Sequence, residues 1–145
     1  MDASSYGVGA VLSQRCDKLE WVVAYASRTL NDTERRYLVI ERELLSCVWA
    51  VEHFKQFVWG NKFTVQSDHK PLVQILFPGG GGNSTACIAR LCSKLHEYVF
   101  DVVFILGKCN QTADYLSRLP CRPEGTQLDG QDADVVAVVS DVCIL

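Results

Sequence analysis

From Tyr37 to Phe54 the apolar residues Tyr37, Ile40, Leu44, Cys47, Val48, Val51 and Phe54 recur mostly three and four positions apart, the stripe of an amphipathic helix. Strand-like runs flank it, and that combination constrains the fold more than any other feature. Before it, "GVGAVLSQ" (7–14) and "LEWVVAYASRTL" (19–30) are β-rich and separated by the polar "RCDK", the pattern of an antiparallel hairpin. After it, "KFTVQSD" alternates Phe63, Val65 and Ser67 with Thr64, Gln66 and Asp68, so it reads as a strand following the helix in a βαβ unit. A hairpin joined to a helical crossover gives a mixed sheet with helices on its faces. The helix is either capped by Asn31 with Glu34 or begins after a turn near Val39, and Gly60-Asn61 ends it.

Pro71 opens a short further helix. "FPGGGGNST" (77–85) reads as a surface loop, because neither a preceding strand nor a Gly-Lys-Ser/Thr ending makes it a phosphate cradle. "CIARLCSKLHEY" is a helix, "VFDVVFILG" a strand and "NQTADYLSR" a last helix. Leu119-Pro120 closes the folded part, giving a domain over 1–119 and an acidic linker or tail over 120–145 with an apolar end. The tail is expected to be dispensable for folding.

At 145 residues and 48% hydrophobic the chain is long enough for one domain with a core. All 14 Lys and Arg lie within residues 1–122 together with 12 of the 17 acids, so the body carries +2 and the tail −5. That weak positive balance is a poor electrostatic footprint for nucleic acid. Seven cysteines without a CxxC pair argue against zinc and against a complete disulfide framework, so a reducing, cytoplasmic or nuclear location is expected. No segment has the pattern of a secretory signal or a membrane span, and the Asn-x-Ser/Thr triplets at Asn31, Asn83 and Asn110 are read as chance.

Four carboxylates stand at informative places. Asp2 precedes the hairpin, Glu43 lies on the apolar edge of the long helix, Asp68 ends a strand, and Asp114 falls in the first turn of the last helix. Each has a plain alternative: a chain-terminal residue, a solvated neighbour of the stripe, a turn residue before Pro71, and a favourable charge at a helix N-terminus.

"DASSYGVGAVLSQ", "AYASRTLNDTERRYLVIERELLSCVWAVEHFKQFVWGNKFTVQSDHKPL" and "GKCNQTADYLSRLP", in this order over residues 2–120, resemble the ribonuclease H domain of gypsy-type long-terminal-repeat retrotransposon polyproteins. The resemblance implies an α/β ribonuclease H-like fold: a five-stranded mixed sheet with helices on both faces, its first strand truncated at the N-terminus. It places the metal-binding, catalytic carboxylates on Asp2, Glu43, Asp68 and Asp114, with two Mg²⁺ ions, or Mn²⁺, as cofactors. It implies cleavage of the RNA strand of an RNA–DNA hybrid, with the 2′-hydroxyl distinguishing the strands. Ser4, Tyr6, Arg42, Ser67, His69, Lys70 and Arg90 are the residues expected to line the hybrid. Polymerase and integrase parts of a parent polyprotein are the implied partners, and no membrane is.

Only Met1 precedes Asp2, whereas the resemblance implies a central strand beginning several residues earlier. Unpaired backbone in the neighbouring strands is the expected result, with a loosely held Asp2. Two readings follow: a metal-dependent hybrid ribonuclease, and a non-catalytic remnant of the fold that binds nucleic acid or another protein.

Overall fold

The computed structural model describes residues 1–16, 19–77, 85–107, 111–118 and 142–144. The glycine run and most of the acidic tail, with Asn83 and Asn110, lie outside the described residues. The hairpin is present: β2 (Gly7–Cys16) and β3 (Leu19–Thr29) pair antiparallel, with a register shift between Leu12 and Ser13. A two-residue β1 (Asp2–Ala3) lies on the other side of β2, pairing Asp2 with Gly9 and Ala3 with Val8.

Both alternatives for the helix start are realised in succession. Asn31 and Glu34 form a reciprocal capping box that opens a single turn, α1 (Asp32–Arg35). Glu34 also takes Arg28 of β3 in a bidentate pair at 2.7 and 2.9 Å, which pins that turn to the sheet. The long helix α2 (Val39–His53) then begins afresh, and after α3 (Lys55–Val58) the chain reverses at Gly60, whose φ of 77° favours glycine. β4 (Phe63–Ser67) buries Phe63, Val65 and Ser67 as the alternation predicts, and α4 (Lys70–Leu76) follows with Pro71 in its first turn. α5 (Ala86–Leu95) returns the chain to β5 (Phe100–Phe104), parallel to β4, and α6 (Gln111–Arg118) follows.

Helices cover the sheet from two sides. Ala10 and Leu12 of β2 share a core cluster with Leu44, Cys47, Val48 and Val51 of α2, Leu72 of α4 and Leu91 of α5. Each such Leu or Val contributes about 1.5–3 kcal/mol by leaving water. The alternate residues Gly7 and Gly9 face α6 instead: a Cβ on Gly9 would stand 2.5 Å from the Ala113 carbonyl oxygen and 2.8 Å from Ser117 N. Glycine therefore lets α6 rest directly on the β2 backbone. Trp21 of the edge strand β3 is 62% exposed.

Two expectations are corrected. Among the described residues the sheet holds six strands, not five, and Val142–Ile144, in the stretch read as a tail, takes part in it: β6 (Val142–Ile144) pairs antiparallel with β2 and parallel with β4. The order from edge to edge is β3, β2, β6, β4, β5, with β1 also on β2. The apolar tail end docks because β2 and β4 otherwise face one another with unpaired, buried backbone.

Candidate metal and nucleic-acid site

Asp2 is held from both faces of the sheet. Its Oδ2 accepts a 2.8 Å hydrogen bond from Ser117 Oγ of α6, and its backbone carbonyl accepts one at 3.0 Å from Ser46 Oγ of α2. The expectation of a loosely held residue is thus corrected, and Asp2 is only 8% exposed. Ser46 is three residues beyond Glu43, and Ser117 three beyond Asp114, so each serine shares a helix face with the carboxylate it accompanies. That spacing was available in the sequence and is the signal by which these two positioning residues could have been found.

The long helix carries two acids two positions apart, and their surroundings separate them. Glu41 accepts from Leu38 N at 3.0 Å and from Thr85 Oγ1 at 2.9 Å, so it caps α2 and ties down the start of α5. Glu43 is buried, accepts from the Ala3 backbone, and leaves its Oε2 without a hydrogen-bond partner. Burial, together with the nearby Asp2 and Asp68, pushes the Glu43 carboxyl up to about 8. Asp2 is raised as well, chiefly by burial, with Ser117 opposing and Asp114 and Asp68 adding to it.

Asp68 directly follows β4. Its turn is fixed by Ser67, whose Oγ accepts from His69 N at 3.1 Å and whose carbonyl accepts from Ile105 N at 2.9 Å. Gly107 comes up beside it, so that a Cβ there would stand 3.0 Å from Asp68 Oδ2. Asp114 is half-exposed and accepts from Arg118 Nε at 2.7 Å. The buried Met1 amine faces Asp2, Glu43 and Asp68, yet desolvation outweighs their attraction and lowers it to about 6.

Asp2 is thus within electrostatic reach of Asp68 and Asp114, and Glu43 within reach of Asp2 and Asp68. Among the described residues, no three His, Cys, Asp or Glu side chains stand close enough to hold a metal ion. The donor set itself, all carboxylate oxygen and including a buried oxygen without a partner, suits a hard divalent cation.

The residues expected to line nucleic acid are dispersed in role. Ser4 is buried: its Oγ accepts from Tyr6 N and Gly7 N and donates to the Ser117 carbonyl at 2.6 Å, so it shapes the β1–β2 turn. Ser67 is buried in the turn before His69. Arg42 is half-buried with its Nε lacking a partner, and His69 is half-buried with Nδ1 likewise. Burial lowers the His69 pKa. Tyr6, Lys70 and Arg90 are exposed; Lys70 Nζ lies 5.2 Å from the Phe104 ring centre and Arg90 reaches the Tyr37 hydroxyl at 3.4 Å. No helix of the described residues is long and apolar enough to cross a membrane.

Residues 1–98 match the family described as the RNase H-like domain found in reverse transcriptase. The chain is similar to three Drosophila melanogaster proteins. It is 38% identical over 128 residues to the retrovirus-related Pol polyprotein from transposon opus, covering 88% of the chain. It is 41% identical over 121 residues to that from transposon 297 and 38% over 118 to that from transposon gypsy, each covering 81% of the chain. It spans 12, 10 and 11% of those three proteins, so it corresponds to a small part of each. The chain belongs to the RNase H-like domain family of reverse transcriptases, and its homologues are gypsy-type Pol polyproteins.

Proposed function

We propose that this domain hydrolyses the RNA strand of RNA–DNA hybrids in a reaction that depends on divalent metal. The observation that supports the reading is the mutual repulsion felt by acids from separate elements, Asp2 against Asp68 and Asp114 and Glu43 against Asp2 and Asp68, with Glu43 Oε2 buried and unpartnered. Asp2, Glu43, Asp68 and Asp114 would hold Mg²⁺ or Mn²⁺, which when bound activates water and stabilises the leaving oxygen of the phosphodiester. Burying mutually repelling acids without a counter-charge raises their pKa values, so such a cluster favours cation binding.

The chain's own residues do the rest. The Glu43 carboxyl, pushed up to about 8 by burial and by Asp2 and Asp68, would hold its proton near neutral pH when no cation is bound. Ser117 and Ser46 fix Asp2 at its side chain and its carbonyl, while Ser67 and Gly107 set the approach to Asp68. Arg118 pairs with Asp114 at 2.7 Å, an exposed ion pair with which a cation bound at Asp114 would compete. Lys70 and Tyr6 offer exposed charge and a ring to the hybrid. On this reading the polymerase and integrase parts of a parent polyprotein are the domain's partners.

The second reading, a non-catalytic binding module, is favoured by one observation: no three of the described acids already stand at metal-binding distance. A labelled RNA–DNA hybrid incubated with folded protein in Mg²⁺, Mn²⁺ or EDTA separates the two. Cleavage of the RNA strand that EDTA abolishes supports the first; hybrid retention without a metal-dependent cut supports the second.

A further inference from the structure

We propose that Val142–Ile144 is a complementing strand: together with β1 (Asp2–Ala3) it makes up one split strand, and it occupies a sheet slot that accepts an extended apolar peptide. Both β6 and β1 run antiparallel to β2, so they run in the same direction along it. Val142, Cys143 and Ile144 pair with Gln14, Ser13 and Leu12, and Asp2 and Ala3 with Gly9 and Val8. Only Ala10 and Val11 of β2 separate the two runs. The two segments therefore lie end to end in one lane of the sheet, although 138 residues of chain separate Ala3 from Val142.

What fills the slot matters for the whole sheet. Among the described residues no strand other than β6 pairs with both β2 and β4. Without it the sheet divides into β1–β2–β3 and β4–β5, leaving the facing backbone of Leu12–Gln14 and Phe63–Val65 unpaired. Leu12, Ser13, Phe63 and Val65 are all at most 2% exposed, so water could not replace those bonds without opening the core. Ile144, fully buried, sits in the same cluster as Leu12, Val65 and the fully buried Met1. Through Met1 the strand bears on Asp2, and through Val65 on the end of β4 that carries Asp68. The pairing stands independently of the nuclease reading, and its test does not involve activity.

The full chain allows two measurements. Under mild oxidation Ser13→Cys is expected to form a disulfide with Cys143, its partner in register, whereas Gln14→Cys, which points to the other sheet face, is not. Peptide mapping by mass spectrometry identifies the linked pair. Hydrogen exchange of Ile144→Lys is expected to be at least about tenfold faster at the amides of Leu12–Gln14 and Phe63–Val65, and excess synthetic peptide VVSDVCIL is expected to restore slow exchange. A 13–143 link within one chain, or peptide rescue, supports the proposal. Absence of the link with unchanged exchange overturns it, and a link found only between chains assigns the slot to a second copy and overturns the intrachain pairing. Because the cross-link needs no destabilising substitution in β6, failure of Ile144→Lys to fold leaves the outcome decidable.

Discussion

Ser117 Oγ donates a 2.8 Å hydrogen bond to Asp2 Oδ2 across 115 positions of the chain, joining the last described helix to the first strand. The same hydroxyl lies 2.8 Å from the Asp114 carbonyl, so one serine stands between two of the four acids. Ser117→Ala is expected to cost about 1–2 kcal/mol in urea unfolding, since it leaves a buried carboxylate oxygen without its donor. Asp2 should also become harder to ionise, because this bond opposes its raised pKa. An unchanged Asp2 titration by NMR would remove Ser117 from this role.

Glu43 predicts the direction of pH dependence. Its folded pKa of about 8 lies above its ordinary 4.5, so the folded state binds more protons than the unfolded one between those values. The stability this group contributes is full below about pH 4.5 and is lost as pH rises through about 8, by at most about 5 kcal/mol. The Met1 amine acts oppositely between about 6 and 8, where it is neutral in the fold and charged in the unfolded chain. Glu43→Gln is therefore expected to be more stable than the parent at pH 8, with the two converging toward pH 5. Melting temperatures of both across that range check it, and parallel curves would contradict it.

Asp68→Asn is expected to abolish metal-dependent cleavage while leaving the melting temperature equal or slightly higher. It takes away one proposed ligand and one member of a repelling cluster. Unchanged cleavage of the hybrid would exclude Asp68 from the site.

Gly9→Ala places a methyl 2.5 Å from the Ala113 carbonyl and 2.8 Å from Leu116 Cβ, so α6 must move. Destabilisation of about 1–3 kcal/mol is expected, with Asp114 and Ser117 displaced together. Chemical shifts of the α6 amides should change as a block; local changes confined to β2 would show that the helix did not move.

An extension of about five β-forming residues before Met1 would enter the lane that β6 occupies. Such an extension is expected to release Val142–Ile144, seen as faster exchange of their amides, with little net change in melting temperature because one strand replaces another. Slow exchange retained at residues 142–144 would show that the two do not compete.

Local pattern alone determined the elements whose side chains repeat with a period. The stripe from Ile40 to Phe54 specified α2, the alternation of Phe63, Val65 and Ser67 specified β4, and the spacing of Asn31 and Glu34 specified a cap. These signals are legible because neighbours in sequence share one face of one element. Family resemblance picked out four carboxylates, but only the fold shows Glu41 satisfied by Leu38 and Thr85 while Glu43 Oε2 has no partner. Only the fold brings Ser117 to Asp2 or gives Val142–Ile144 its place. Three residues carry no periodic signal, and which segment fills a lane is decided by the buried backbone groups of β2 and β4, residues far from it in sequence.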